Sequence, residues 1–177
     1  ATNRLRFVSA SGDSSACVIS YNGTYTVQLN GSKYVTFRKI GITSTSQYAL
    51  YFIGTSPSED SIANCLITAP SGATGSYVGI YGGTTGVITN LTIYNNAIVN
   101  GYYGIQWNGN CCTQADIINF IGNTFTNQYQ YGFYSYYAGG IYFNNNTITS
   151  NTTVTNFYGA SINYTPSNGR ALQCNNN

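Results

Sequence analysis

The chain has 177 residues, enough for one domain with its own core, and 42% of them are apolar. Only 6% are charged, against roughly 25% in an ordinary globular domain, and the basic residues behind the net charge of +2 are spread along the chain; this argues against a nucleic-acid stripe. With no histidine, Ser/His/Asp and Cys/His catalysis are excluded, and no run of about eighteen apolar residues is available to span a membrane.

Residues 1–33 read as an irregular entry, with strand candidates at 5–8, 17–19 and 25–29 separated by the turns SGDSS and NGS. The opening ATNRLRFVSAS has no apolar core of the kind a signal peptide needs. A regular ladder is expected over 34–164, beginning with YVTFRKIGI. Residues 54–61, GTSPSEDS, predict an exposed loop holding two of the four acids. Residues 62–68 and 77–81 form the next coil around the corner SGATGS; 87–99 and 102–107 follow, and 108–115 bulge outward. Segments 117–126, 131–137, 141–149 and 157–164 continue the pattern, and 165–177 read as a terminal strand and tail of the same single domain.

Two marks recur along this ladder. Ile42, Ile67, Ile98, Phe125 and Ile148 each follow a corner, at intervals of 25, 31, 27 and 23 residues. Leu50, Ile80, Ile105, Phe133 and Ala160 each follow a glycine or alanine, at intervals of 30, 25, 28 and 27. Such a period signals a solenoid, in which each repeat buries its apolar face only against its neighbours. The segments are short and rich in Ile, Val, Tyr, Phe and Thr, and none carries a helical pattern, so each coil holds about three strands. The expected fold is all-β, a parallel β-helix of about six coils of 23–31 residues.

The corners support this. Cys65, Asn96, Asn123 and Asn146 stand two residues before their reference positions, and Asn64, Asn95 and Asn145 stand three before. Asparagine tolerates the left-handed conformation of a sharp corner, and its amide can bond to the asparagine one coil away.

Chemistry-bearing residues are few. The acids are Asp13, Glu59, Asp60 and Asp116; a paired-carboxylate mechanism needs two carboxyls facing one bond, and here adjacent acids point apart while the others lie coils apart. All four read as solvated loop acids. Lys33, Arg38 and Lys39 stand beside no acid cluster, and Gly82–Gly83 and Gly139–Gly140 read as corners, not phosphate loops. No catalytic residue, cofactor or metal site is expected, since there is no histidine and no spaced CxxC pair. Cys17, Cys65, Cys111, Cys112 and Cys174 are disulfide candidates for an oxidising, extracellular setting, with at least one left over from the odd count. Six Asn-x-Ser/Thr sites are expected to be unmodified. Outward-facing Tyr51, Tyr81 and Tyr134, with Tyr136 and Tyr137 nearby, are candidates for stacking on sugars or on another fibre. The outward file Thr43, Thr68, Val99, Thr126 and Thr149 raises ice binding as a further alternative.

The columns NNT-I-T, NGS-K-YVTF and G-I/F-Y resemble the right-handed parallel β-helix repeats of the pectin-lyase-like superfamily. The opening, RFVSASGDSSACVI followed by YTVQLNGSKYVTFRKIGI, is similar to modules of very large surface and adhesin-type proteins of Bacteroidetes-like bacteria. The resemblance covers most of residues 4–164 and implies a right-handed coil. Enzymes of that superfamily use clustered aspartates, or an Arg or Lys base with Ca²⁺-binding acids, and this chain has neither arrangement at the matching columns. The expectation is a non-catalytic structural protein of the cell exterior, a fibre, filament or adhesin unit that associates with itself or with other β-helix modules through open coil ends. The alternatives are a carbohydrate-binding module contacting surface glycans, and a polysaccharide lyase or hydrolase. Neither nucleic acid nor a membrane is an expected partner.

Overall fold

The computed structural model describes residues 3–55, 57–84, 88–109, 117–150, 156–163 and 173–177. Short β-branched and aromatic segments, broken by Asn and Gly corners, favour strands over helices, and among the described residues every regular element is a strand. Each coil contributes three. The first is β1 (Leu5–Val8), β2 (Val18–Tyr21) and β3 (Tyr25–Asn30); the second β4 (Val35–Arg38), β5 (Gly41–Ser44) and β6 (Tyr48–Gly54). The third is β7 (Ser61–Ala63), β8 (Leu66–Thr68) and β9 (Val78–Thr84); the fourth β10 (Leu91–Tyr94), β11 (Ala97–Val99) and β12 (Tyr103–Asn108). The fifth is β13 (Ile118–Ile121), β14 (Thr124–Thr126) and β15 (Tyr131–Tyr136), the sixth β16 (Ile141–Asn144), β17 (Thr147–Thr149) and β18 (Tyr158–Asn163), and β19 (Gln173–Asn175) begins a seventh.

Stacking these triplets gives three parallel sheets. The first runs β1-β4-β7-β10-β13-β16-β19, the second β2-β5-β8-β11-β14-β17 and the third β3-β6-β9-β12-β15-β18. The register matches the sequence columns. In the second sheet Ile42, Ile67, Ile98, Phe125 and Ile148 are successive partners. In the third, Leu50, Ile80, Ile105, Phe133 and Ala160 are. All but the last member of each file are fully buried, as are Ile62, Ile93 and Phe120 from the first sheet. The bore is filled by side chains, with Trp107, Phe120, Phe133 and Phe143 forming an aromatic plug at ring spacings of 4.6–5.7 Å.

Residues 5–30, expected as an irregular entry, carry three strands that join the ladder in full register. Corner marks are missing there because Cys17 and Ile40 fill the place that asparagine takes in later coils, and the turn between β1 and β2 is long.

Two backbone devices fix the coil. At the corner between first and second sheets, Asn64, Asn95 and Asn145 take φ values of 54–56°. The next residues form a buried amide ladder: Asn96 Nδ2 donates to Asn123 Oδ1 at 3.0 Å, Asn123 to Asn146 at 3.0 Å, and Asn146 to Asn177 at 3.2 Å. Each amide also bonds a backbone carbonyl of the preceding coil, as Asn123 does Ile93 at 2.9 Å. The second device is a glycine seam. A Cβ on Gly79, Gly104 or Gly132 would lie 2.6–2.7 Å from the carbonyl oxygen of the glycine one coil on, so no larger residue fits.

Candidate functional site

The acids do not converge. Asp13 Oδ1 accepts bonds from the Ser15 amide and hydroxyl at 2.8 Å, which hold its carboxyl below the usual range and close its own turn. Glu59 lies at a left-handed corner, φ 58°, and accepts from Asn90 Nδ2 at 2.9 Å. Asp60 corrects the expectation of a solvated loop acid: it is 1% exposed, turned under the chain, where its carboxylate accepts from Ser32 Oγ and the Val35 amide. Burial pushes its pKa up against the pull of those two bonds and of Arg4. Its task is to tie the first and second coils to the third. Asp116 lies outside the described residues. Among the described residues no three of Cys, Asp and Glu gather where a metal could sit.

The tyrosines do gather. Tyr51 and Tyr81 are register partners in the third sheet, and Tyr134 continues the file beyond Gln106. Tyr25 and Tyr51 stack at 5.5 Å and 12° between planes, and Tyr51 and Tyr81 at 5.0 Å and 12°. A second group stacks Tyr103 on Tyr131 and Tyr131 on Tyr158 at 5.0 and 5.2 Å. Tyr103 is the most enclosed of the second group, and burial, then the neighbouring phenols, pushes its pKa up to about 12. Because these rings stack along the coil axis, their flat faces cover one another and mainly edges and hydroxyls meet solvent. Tyr136 and Tyr137 pair edge to face at 4.2 Å.

The cysteine expectation changes. Cys17, Cys65 and Cys174 are free thiols. Cys65 is buried at the head of the amide ladder, its amide bonded to Asn96 Oδ1 and its thiol pushed up by burial. Cys17 and Cys174 sit on the first and last coils, which puts them out of each other's reach. Cys111 and Cys112 lie outside the described residues.

Apolar exposure is concentrated at one end. Of eight exposed large hydrophobics among the described residues, six belong to the first coil, including Leu5 at 58% and Phe7 at 40%. Both point into the bore: Leu5 pairs with Val35, and Phe7 stacks on Phe37 at 4.7 Å.

This three-faced coil has a counterpart in sequence: the signature described as a right handed beta helix region matches residues 7–177. The chain belongs to the right-handed β-helix family. No curated protein and no solved structure matches it. Thr43, Thr68, Val99, Thr126 and Thr149 run in register down the second sheet of this β-helix. Missed from sequence was a cationic surface on the first sheet, where β1 and β4 bring Arg4, Arg6 and Arg38 onto one outer face. Arg38 stands about thirty positions after the other two, and only the coil period, applied to the first coil as well, aligns it with them. No helix among the described residues is long and apolar enough to cross a membrane.

Proposed function

We propose that this β-helix is a non-catalytic structural module of the cell exterior, a unit of a fibre or adhesin, which stacks through its first coil onto another coil of the same kind. The observation that supports this is the row of bore-facing side chains, led by Leu5 and Phe7, that the first coil leaves open. Burying a Leu or Phe side chain completely contributes about 2 kcal/mol, so covering the open half of each contributes about 1 kcal/mol apiece. Among the described residues β1, β2 and β3 are the end strands of their sheets, and their outer edges offer three rows of backbone groups beside them. A coil placed on a coil repeats the three-sheet contact already made five times among the described residues, which favours head-to-tail growth. Among the described residues the carboxylates, Asp13, Glu59 and Asp60, are dispersed and internally engaged, which favours a role without turnover.

Light scattering coupled to size exclusion from 1 to 200 µM, with negative-stain imaging, tests this. The expected result is concentration-dependent growth that Phe7→Asp and Leu5→Asp abolish without changing the far-ultraviolet spectrum. A wild-type particle that stays monomeric across the whole range overturns the reading.

A further inference from the structure

We propose that the far end of the coil, formed by β16, β17 and β18, is the docking surface for the first coil of a second copy of this chain, and that β19 is a latch lying across the first-sheet part of it. This rests on the stacking reading above; it adds the surface that receives the first coil and the segment that must move. The columns support the fit. Ile148 in the second sheet and Ala160 in the third end their bore files partly open. In the first coil Ile19 and Val27 belong to the same two columns. Tyr25 and Tyr158, 36% and 47% exposed, begin and end a column of tyrosines in the third sheet that is broken once, at Val78. Tyr158 stacks on Tyr131 at 5.2 Å, and among the described residues no ring covers its other face, where Tyr25 of an arriving copy would continue the stack.

The first sheet is where the two ends collide. Among the described residues it has seven strands, and the other two sheets have six. When β2 and β3 of an arriving copy pair with β17 and β18, its β1 comes down on β16, where β19 already lies. Were β1 to pair with β19 instead, β2 and β3 would hang one rung, about 4.8 Å, too high, and Ile148 and Ala160 would stay uncovered. The arriving strand buries more than the one it displaces. All three residues of β19 are exposed, and Cys174 is the one that continues the bore column of Phe143. An arriving β1 sets Phe7 in that place, repeating the stack that Phe7 makes on Phe37 at 4.7 Å. What holds β19 and the residues after it is polar. The Asn175 amide donates to Asn144 Oδ1 at 3.0 Å, and Asn177 donates to the Phe143 carbonyl at 2.8 Å and accepts from the Asn146 amide at 2.9 Å. Water can replace hydrogen bonds at an exposed edge, whereas apolar area is covered only by another side chain. As part of the same chain, β19 competes intramolecularly, and so it sets the concentration at which a second copy displaces it.

Hydrogen exchange of the full chain, read by mass spectrometry below and above its assembly concentration, tests the proposal. On assembly the amides of residues 5–8 should exchange at least tenfold more slowly and those of residues 173–177 at least tenfold faster. The double variant Asn175→Pro/Asn177→Ala removes the amide that Asn144 accepts and the side chain that caps Asn146, and leaves the first coil untouched. It should assemble at about one-tenth of the wild-type concentration, with unchanged Trp107 emission showing the shaft intact, and adding Phe7→Asp should return it to monomer. Wild-type assembly in which residues 173–177 become more protected, or keep their exchange rate, overturns the latch and leaves the stacking reading standing. So does a double variant that assembles no more readily than wild type, or whose assembly survives Phe7→Asp. A wild type that stays monomeric throughout overturns the stacking reading and this proposal with it.

Discussion

Replacing Asn123 by alanine tests whether the amide ladder holds the coils together. Asn123 is 0% exposed. Its Oδ1 accepts from the Asn96 amide and from Asn96 Nδ2, each at 3.0 Å, and its Nδ2 donates to Ile93 O at 2.9 Å and Asn146 Oδ1 at 3.0 Å. After the substitution Asn96 Nδ2 keeps Ile62 O, but the buried Asn96 N–H loses its acceptor. A buried donor left without a partner costs about 1–3 kcal/mol and each of the further lost bonds about 1 kcal/mol, so the variant should lose about 4–6 kcal/mol. Asn177→Ala is the control. Asn177 makes the equivalent bonds to Asn146 and Phe143, but it is exposed, water can replace it, and about 1 kcal/mol is expected. Urea unfolding followed by far-ultraviolet circular dichroism and by the fluorescence of Trp107, the sole tryptophan, measures both. Solenoids can lose end coils first, so the buried Trp107 signal from the fourth coil is the decisive one. An Asn123→Ala cost within 1 kcal/mol of the Asn177→Ala cost refutes the ladder as a stabilising element.

Gly82→Ala should cost about 1–3 kcal/mol and shift Trp107 emission, because the new methyl would sit 2.5 Å from the indole ring; unchanged emission and stability would rule out that packing. Asp60 has a folded pKa raised above 3.8, so the folded state holds its proton longer than the unfolded chain does, and stability falls as pH rises from 3.8 through the raised value. Asp60→Asn should remove that fall, leaving the opposite trend from Asp13, whose lowered pKa lends stability above 3.8 that is lost on acidification. Parallel stability curves for the two proteins between pH 3 and 7 would show that Asp60 contributes none of the dependence. Alkylation of the native protein with peptide mapping should label exposed Cys17 and Cys174 and spare buried Cys65 until urea is added; early labelling of Cys65 would place it outside the core.

Much of the fold was legible because a solenoid writes its period into the sequence. The Ile67, Ile98, Phe125 and Ile148 file was readable since each residue faces the same bore and sits behind the same left-handed corner. The first coil was not, because Cys17 and Ile40 stand where the reader looks for asparagine. Asp60 was misjudged for a different reason: its loop is polar in sequence, yet the neighbouring coil folds Ser32 and Val35 over it, and burial of a loop residue depends on what the next coil does. For three of the five cysteines, Cys17, Cys65 and Cys174, the count could not show what their places on coils one, three and seven show, that they stand apart as free thiols; Cys111 and Cys112 lie outside the described residues. The arginine surface was hidden since Arg6 and Arg38 become neighbours only when coil one is aligned.

The glycine seam divides the surface into two kinds of territory. Along Gly79, Gly104 and Gly132 the rungs touch backbone to backbone, and nothing there can be rewritten. The outward files of all three sheets bear no such constraint, and they repeat at a pitch of about 4.8 Å. The molecule is therefore a ruler with a fixed spine and editable graduations, on which new recognition chemistry could be installed rung by rung without disturbing the shaft.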